Sequence, residues 1–190
     1  RQYFTTTGRA APRTRTRPQL LAGRQKADPS GVVVAGWATG GEASAIAMLV
    51  CEHAERLEAP PSVQVFASDI DEQAIQEARA GLYPSTIEAD VSQGRLRRFF
   101  AEDHGRYRVR KNLREKVLFA THNVLSEAPF SRLDLVSCRN LLIYLNPKAQ
   151  AQVIDIFNFE LRTGGLLYIG ESECSSTRKL FAPVDGKHRI

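Results

Sequence analysis

A chain of 190 residues, 43% hydrophobic and 25% charged, has enough apolar material for one full-sized domain and too little length for two comfortable ones. No apolar run approaches the roughly 18–20 residues that span a bilayer, so membrane insertion is not expected. The net charge of +5 raises nucleic acid as a partner, but the excess cations, Arg1, Arg9, Arg13, Arg15, Arg17, Arg24 and Lys26 against Asp28 alone, all fall in residues 1–30, so nucleic acid is not the expected partner.

Residues 1–30 read as a basic lead-in or degenerate linker segment, solvated rather than packed. The opening RQYFTTTGRAAPRTRTRPQ lacks the apolar stretch of a secretory signal. Cys51, Cys138 and Cys174 are scattered singly without CxxC spacing, which points to a reducing, cytoplasmic setting with neither a disulfide framework nor a zinc site. The chain starts without methionine and stops at Arg189-Ile190 in what reads as the beginning of a strand, so it is expected to be a piece of something longer.

Residues 31–190 then alternate strand and helix signals. VVVA (32–35) is a short buried-strand run, followed by a glycine-rich turn and a helix over 42–57 with Ala45, Ile46, Leu49 and Val50 on one side. VQVFAS (63–68) is the next strand, and DEQAIQEARA (71–80) a helix with Asp71 as its N-cap and Gly81 as its stop. Residues 82–120 break the rhythm: SQGRLRRFF (92–100) reads as a helix, while RYRVRK (106–111) and KVLFATHN (116–123) alternate as antiparallel strands do. LDLVSC (133–138) resumes the pattern, Pro147 opens a helix that runs to about Arg162 and ends at Gly164-Gly165, and LLYIG (166–170) is another strand. Continuous apolar strands alternating with helices predict an α/β fold with a doubly wound, mostly parallel sheet, carrying a small antiparallel β-subdomain insertion at about 82–120.

Ligands of such sheets bind beyond the carboxyl ends of the strands, which singles out the loops GWATGGE, SDID, HNVLSEAPF and CRNLLIYLNP. The first lets a ligand approach backbone and a helix N-terminus closely, but it has neither the GKS or GKT of a P-loop nor GxGxxG, so alone it equally describes a tight corner. Asp69 stands just after the second strand, where a carboxylate accepts hydrogen bonds from ribose hydroxyls. A glycine loop followed by such an acid describes an adenosine pocket that needs no pyrophosphate. Asn123 follows one apolar strand, and Arg139, Asn140 and Tyr144 follow another; polar side chains in apolar sequence require hydrogen-bond partners or a site, and Asn140 equally suits pinning its own loop.

At these residues the sequence resembles the chemotaxis receptor methyltransferases, which move a methyl group from S-adenosylmethionine to glutamate side chains of bacterial chemoreceptors. FASDIDEQAIQEARAGLYP, DVSQGRLRRFF, YRVRKNLREKVLFATHNVL, PFSRLDLVSCRNLLIYLNP, GGLLYIGESE and LFAPVDGKHRI all look like that family in the right order, especially its members fused to methylesterase and sensory domains. The resemblance implies a methyltransferase-like domain over 31–190, S-adenosyl-L-methionine as cofactor with S-adenosyl-L-homocysteine as product, and a chemoreceptor or related signalling protein as substrate. By the same resemblance Asp69 would hold the ribose, the backbone of Ala38, Thr39 and Gly41 would face the cofactor, Asn123 and Val124 would flank the adenine, and Arg139 and Tyr144 would lie near the transferred methyl. The insertion resembles the β-subdomain that contacts receptors.

The sequence also departs from the family pattern. Gly41 stands where the family carries the first of two acidic residues, Trp37 replaces a cysteine in the loop, and Thr5 falls where a linker arginine is expected. Each missing charged hydrogen bond is worth roughly 1.5–3 kcal/mol, so two would weaken cofactor binding by on the order of a hundredfold or more. Methyl transfer to an ionised carboxylate needs alignment and exclusion of water rather than a general base, and none of His53, His104, His122 and His188 is expected to be catalytic, His122 being structural. The main alternatives are an active protein-glutamate O-methyltransferase, favoured by Asp69, Asn123, Arg139 and Tyr144, and a degenerate domain for cofactor sensing or protein docking, favoured by Gly41, Trp37 and Thr5; a third, nucleic-acid methylation, draws only on the basic lead-in. The sequence carries no signal for oligomeric state.

Overall fold

In a computed structural model of the chain, described over residues 30–35, 40–170 and 180–182, the apolar runs pair as neighbouring strands of one parallel sheet. Residues 1–29 of the lead-in, Thr5 among them, and Trp37, Ala38, Thr39, Cys174 and His188 lie outside the described residues. The first half follows the expected order: β1 (Ser30–Ala35), α1 (Gly41–Ala54), β2 (Val63–Asp69) and α2 (Glu72–Ala80), with α1 ending three residues earlier than its pattern suggests. The ends of α2 fall where local chemistry puts them. The Asp71 carboxylate accepts the N–H groups of Gln73 and Ala74, and Gly81 turns the chain out of the helix at φ 62°.

The insertion comprises β3 (Leu82–Pro84), α3 (Gln93–Phe99), β4 (Phe100–Asp103) and β5 (Arg106–Val109), its three strands antiparallel in the order β3-β5-β4. A short helix, α4 (Lys111–Arg114), then leads to β6 (Val117–Thr121). Here the structure corrects the expectation for KVLFATHN. β6 is not part of the antiparallel subdomain; it pairs parallel with β2 from Val65↔Val117 to Asp69↔Thr121. It forms the outer edge of the main sheet, and an edge strand covered unevenly alternates in the same way as an antiparallel one: Val117 is 7% exposed and Leu118 52%.

The remaining elements are β7 (Leu133–Cys138), α5 (Pro147–Glu160) and β8 (Leu161–Ile169), giving a sheet order of β6-β2-β1-β7-β8 with every pair parallel. A second correction concerns the end of α5. It stops at Glu160 rather than Arg162, and Gly164-Gly165 lie inside β8, because Leu161 already pairs with Leu133 and the strand bulges before Leu166 rejoins at Leu135. The bulge has a polar anchor: Arg162 forms an ion pair with the buried carboxylate of Asp134, which also accepts the Gly31 N–H at 3.1 Å, so β1, β7 and β8 are tied at their starts.

Apolar side chains cover both faces of the sheet. One core joins Met48 of α1 and Ile75 of α2 to Leu96, Phe99, Phe100 and Leu113, so the insertion is packed into the same core as the sheet. The other places Val153, Ile154 and Phe157 of α5 on Val33, Val136 and Leu167. The insertion is also bound to α1 by a two-pronged contact, Arg95 Nε and Nη2 donating to the two Glu52 oxygens at 2.7 Å each, which holds the Glu52 carboxyl below its usual range. Among the described residues no helix is long and apolar enough to cross a membrane, and no cluster of His, Cys, Asp or Glu has the makings of a metal site.

Glu160, 1% exposed at the end of α5, accepts the Phe130 N–H at 2.9 Å through one oxygen, while its other oxygen has no hydrogen-bond partner. Burial pushes its carboxyl above the usual range, opposed by the Phe130 N–H and by His122.

Two outcomes follow from this packing. Phe99→Ala is expected to cost about 3–5 kcal/mol and to unfold sheet and insertion in one transition, seen as coincident urea curves from two spectroscopic probes. Because the folded form holds the Glu160 proton more tightly than the unfolded chain, stability declines as pH rises from the ordinary carboxyl value of 4.5 through the raised folded value. Urea midpoints taken between about pH 5 and pH 8 should fall more steeply in the unaltered protein than in Glu160→Gln.

Candidate active site at the carboxyl edge of the sheet

The chain leaves β1 toward β2 on one side and reaches β7 and β8 on the other, so the topological switch point lies between the carboxyl ends of β1 and β7. Register fixes what stands there. Ala35 lies opposite Ser68 on β2 and Cys138 on β7, and Cys138 lies opposite Ile169 on β8, so the strands end nearly level. Asp69 and Arg139 each lie one residue beyond that row, on either side of β1.

Asp69 ends β2 half-buried, with its Oδ1 accepting the Asp71 N–H at 3.0 Å and its main-chain oxygen accepting the His122 N–H at 2.9 Å. Among the described residues its Oδ2 accepts no hydrogen bond, an oxygen of the kind a ribose hydroxyl fills. Asp71 caps α2, as the sequence suggests, and Asp69 is the last residue of β2. The bond to His122 brings the next residue, Asn123, beside Asp69. Asn123 Oδ1 accepts the Leu125 N–H at 3.0 Å and its own N–H is taken by Glu127 at 3.1 Å, while its amide nitrogen donates to no described residue. Val124 packs, half-buried, against the α5-side core. His122 Nε2 lies 3.2 Å from the Ala128 carbonyl, and its ring is 5.1 Å from that of Phe130.

On the other side of β1 the first turn of α1 meets β7. Gly40, buried and at φ 74°, turns the loop into α1 through a left-handed conformation that a Cβ would strain, and Gly41 is the first helical residue. Glu42 reaches across to β7, where the Ser137 hydroxyl donates to its Oε1 at 2.5 Å. Ser44, one turn into α1, hydrogen-bonds the buried Tyr83 hydroxyl at 3.0 Å, and burial pushes the Tyr83 phenol up to about 12.

Arg139 follows β7, half-buried, with its guanidinium 5.7 Å from the centroid of the Tyr168 ring on β8. Asn140 sits at φ 61° in the same loop. A short 3₁₀ turn, Leu142–Tyr144, follows; Leu142 is buried, and Gln150 Nε2 donates to the carbonyls of Leu142 and Leu145. Tyr144 itself is 81% exposed.

The structure therefore gathers Asp69, Asn123, Gly41 and Arg139 along one rim. Tyr144 stands on the same loop as Arg139 without being packed. Ala38 and Thr39 lie outside the described residues. The sequence reading passed over Glu42, Ser137 and Tyr168. Ser137, 1% exposed, is a hydroxyl inside the apolar run LDLVSC, and that incongruity is the signal that could have found it.

A family model described as CheR methyltransferase, SAM binding domain, matches residues 13–190. An uncharacterized 104.1 kDa protein in the hypE 3′ region of Rhodobacter capsulatus is 41% identical over 160 residues, covering 84% of this chain and 17% of that protein. The chemotaxis protein methyltransferase of Vibrio parahaemolyticus is 32% identical over 160 residues, covering 82% of this chain and 57% of that protein. That of Escherichia coli K12 is 34% identical over 144 residues, covering 71% of this chain and 49% of that protein. The chain spans about half the length of these chemotaxis relatives and a smaller part of the first protein.

The left-handed entry into α1 can be tested directly. Gly40→Ala is expected to lower stability by about 1–2 kcal/mol, measured by urea denaturation.

Proposed function

The chain belongs to the CheR methyltransferase family, and from that premise we propose that it transfers the methyl group of S-adenosylmethionine to glutamate side chains of bacterial chemoreceptors or related signalling proteins, on their cytoplasmic side. The observation that carries this reading is the Asp69 carboxylate at the end of β2, steadied by the Asp71 N–H and flanked by Asn123 through the His122 contact. The donor set suits an adenosine: a carboxylate oxygen for the ribose and an amide for the base, with Val124 as an apolar neighbour. The cofactor supplies a methyl group on a positively charged sulfur, which makes that carbon electrophilic.

The protein's own task is then alignment. A glutamate carboxylate is ionised at neutral pH and needs no base, which is consistent with His122 being occupied structurally. Arg139, held over Tyr168 at the opposite side of β1 from Asp69, has the charge to orient an incoming carboxylate. Tyr144, exposed on the loop that follows, is the residue we assign to covering an acceptor side chain. The insertion is the surface for the protein substrate in this reading.

Calorimetry with S-adenosylhomocysteine tests the central assignment. Binding is expected to be measurable but weak, and Asp69→Ala should reduce it by roughly tenfold to a hundredfold, the loss of one charged hydrogen bond. Unchanged affinity in Asp69→Ala would show that the ribose is held elsewhere.

A further inference from the structure

The loop between β6 and β7 is held to α5 at two points. Near the middle of the helix Gln152 Nε2 donates to the Leu125 carbonyl at 3.4 Å, and at its last residue Glu160 Oε1 accepts the Phe130 N–H at 2.9 Å. Eight residues of helix separate the two points, about 12 Å, so the loop is laid along α5. The second point is the interior one: Glu160 is 1% exposed, and its Oε2 has no hydrogen-bond partner. A buried carboxyl with one unmatched oxygen costs stability in either protonation state, since the ionised form lacks a second donor and the protonated form lacks an acceptor. Phe157, three residues earlier on the helix, and Phe130 belong to an apolar cluster that has no need of an acid. What the carboxylate supplies, and a leucine would not, is an acceptor for the Phe130 main chain.

From Phe130 the path to the rim is short. The Phe130 ring lies 5.1 Å from that of His122 and 5.4 Å from that of Phe66 on β2. His122 in turn meets the Ala128 carbonyl through Nε2 at 3.2 Å and donates its N–H to the Asp69 carbonyl at 2.9 Å. The two arms of the loop are joined there, and Asn123 is the next residue. Resting on the cofactor reading above, we infer that Glu160 is a positioning residue for the nucleoside: by gripping the Phe130 main chain it fixes the arm against which His122 packs, and so sets where Asn123 and Val124 meet the base. The end of α5, remote from the rim in sequence, thereby tunes the pocket without touching what it holds.

The test is a double-mutant cycle read by calorimetry with S-adenosylhomocysteine at neutral pH, on variants shown by circular dichroism to be folded. Asn123→Ala and Glu160→Leu should each weaken binding by about fivefold, and the double variant by about fivefold as well, because both changes remove the same contact; independent sites would multiply to about twenty-fivefold. Glu160→Gln, which keeps an oxygen for the Phe130 N–H, should hold affinity within about twofold of the unaltered protein. Phe130→Leu, which keeps the N–H but takes the ring from His122, provides the same cycle if Glu160→Leu does not fold. Multiplying losses, or unchanged affinity in Glu160→Leu, would overturn the assignment and leave Glu160 a fastening between the loop and α5. Unchanged affinity in Asn123→Ala would overturn it as well, by removing the base contact through which Glu160 acts. No binding of S-adenosylhomocysteine by the unaltered protein would instead overturn the methyltransferase reading itself, a distinguishable failure.

Discussion

The in-register ending of β2, β1 and β7 is the constraint on which the rest depends. Ala35 has Ser68 on one side and Cys138 on the other, so the residues that follow on β2 and β7 emerge level with each other on either side of β1. A slip of one residue in either pairing would turn Asp69 or Arg139 to the opposite face of the sheet. The register is secured at the far end, where Asp134 receives both the Gly31 N–H and the Arg162 side chain. Polar contacts at the base of the strands thereby determine which groups meet at the top.

Much of this was legible in the sequence because the local signals were strong and mutually consistent. Asp71 and Gly81 announce α2 and then cap it, Pro147 follows its cap Asn146, and continuous apolar runs locate the inner strands. What escaped notice was pairing, which no local pattern encodes. KVLFATHN alternates because one side of an edge strand is covered and the other is not, and that pattern is the same whether its neighbour runs parallel or antiparallel. The end of α5 was misplaced for a related reason: two consecutive glycines resemble a helix stop, but here they serve a bulge demanded by β7, with the Cβ that Gly165 lacks falling 2.9 Å from the Arg162 carbonyl.

At the rim, Asp69 could be distinguished from Asp71 by position alone, since one directly follows a strand and the other precedes a helix. Asn123 and Arg139 were visible as polar residues after apolar runs. Glu42 was not, because a glutamate in the first turn of a helix is sufficiently explained by the helix itself, and its partner Ser137 lies 95 residues away. Long-range side-chain contacts of that kind become apparent only once the strands are placed. The family relationship supports the chemistry of the rim as a whole; the contacts of individual residues are particular to this chain.

The fork between Arg95 and Glu52, together with the phenylalanines buried beneath it, turns the three-stranded insertion into a fixed outrigger rather than a swinging arm. Glu52 belongs to the same helix whose opposite end frames the crevice. Any macromolecule moored on the outrigger would therefore be presented at a constant bearing, and the search for the right side chain would fall to the slack in the visitor's own backbone.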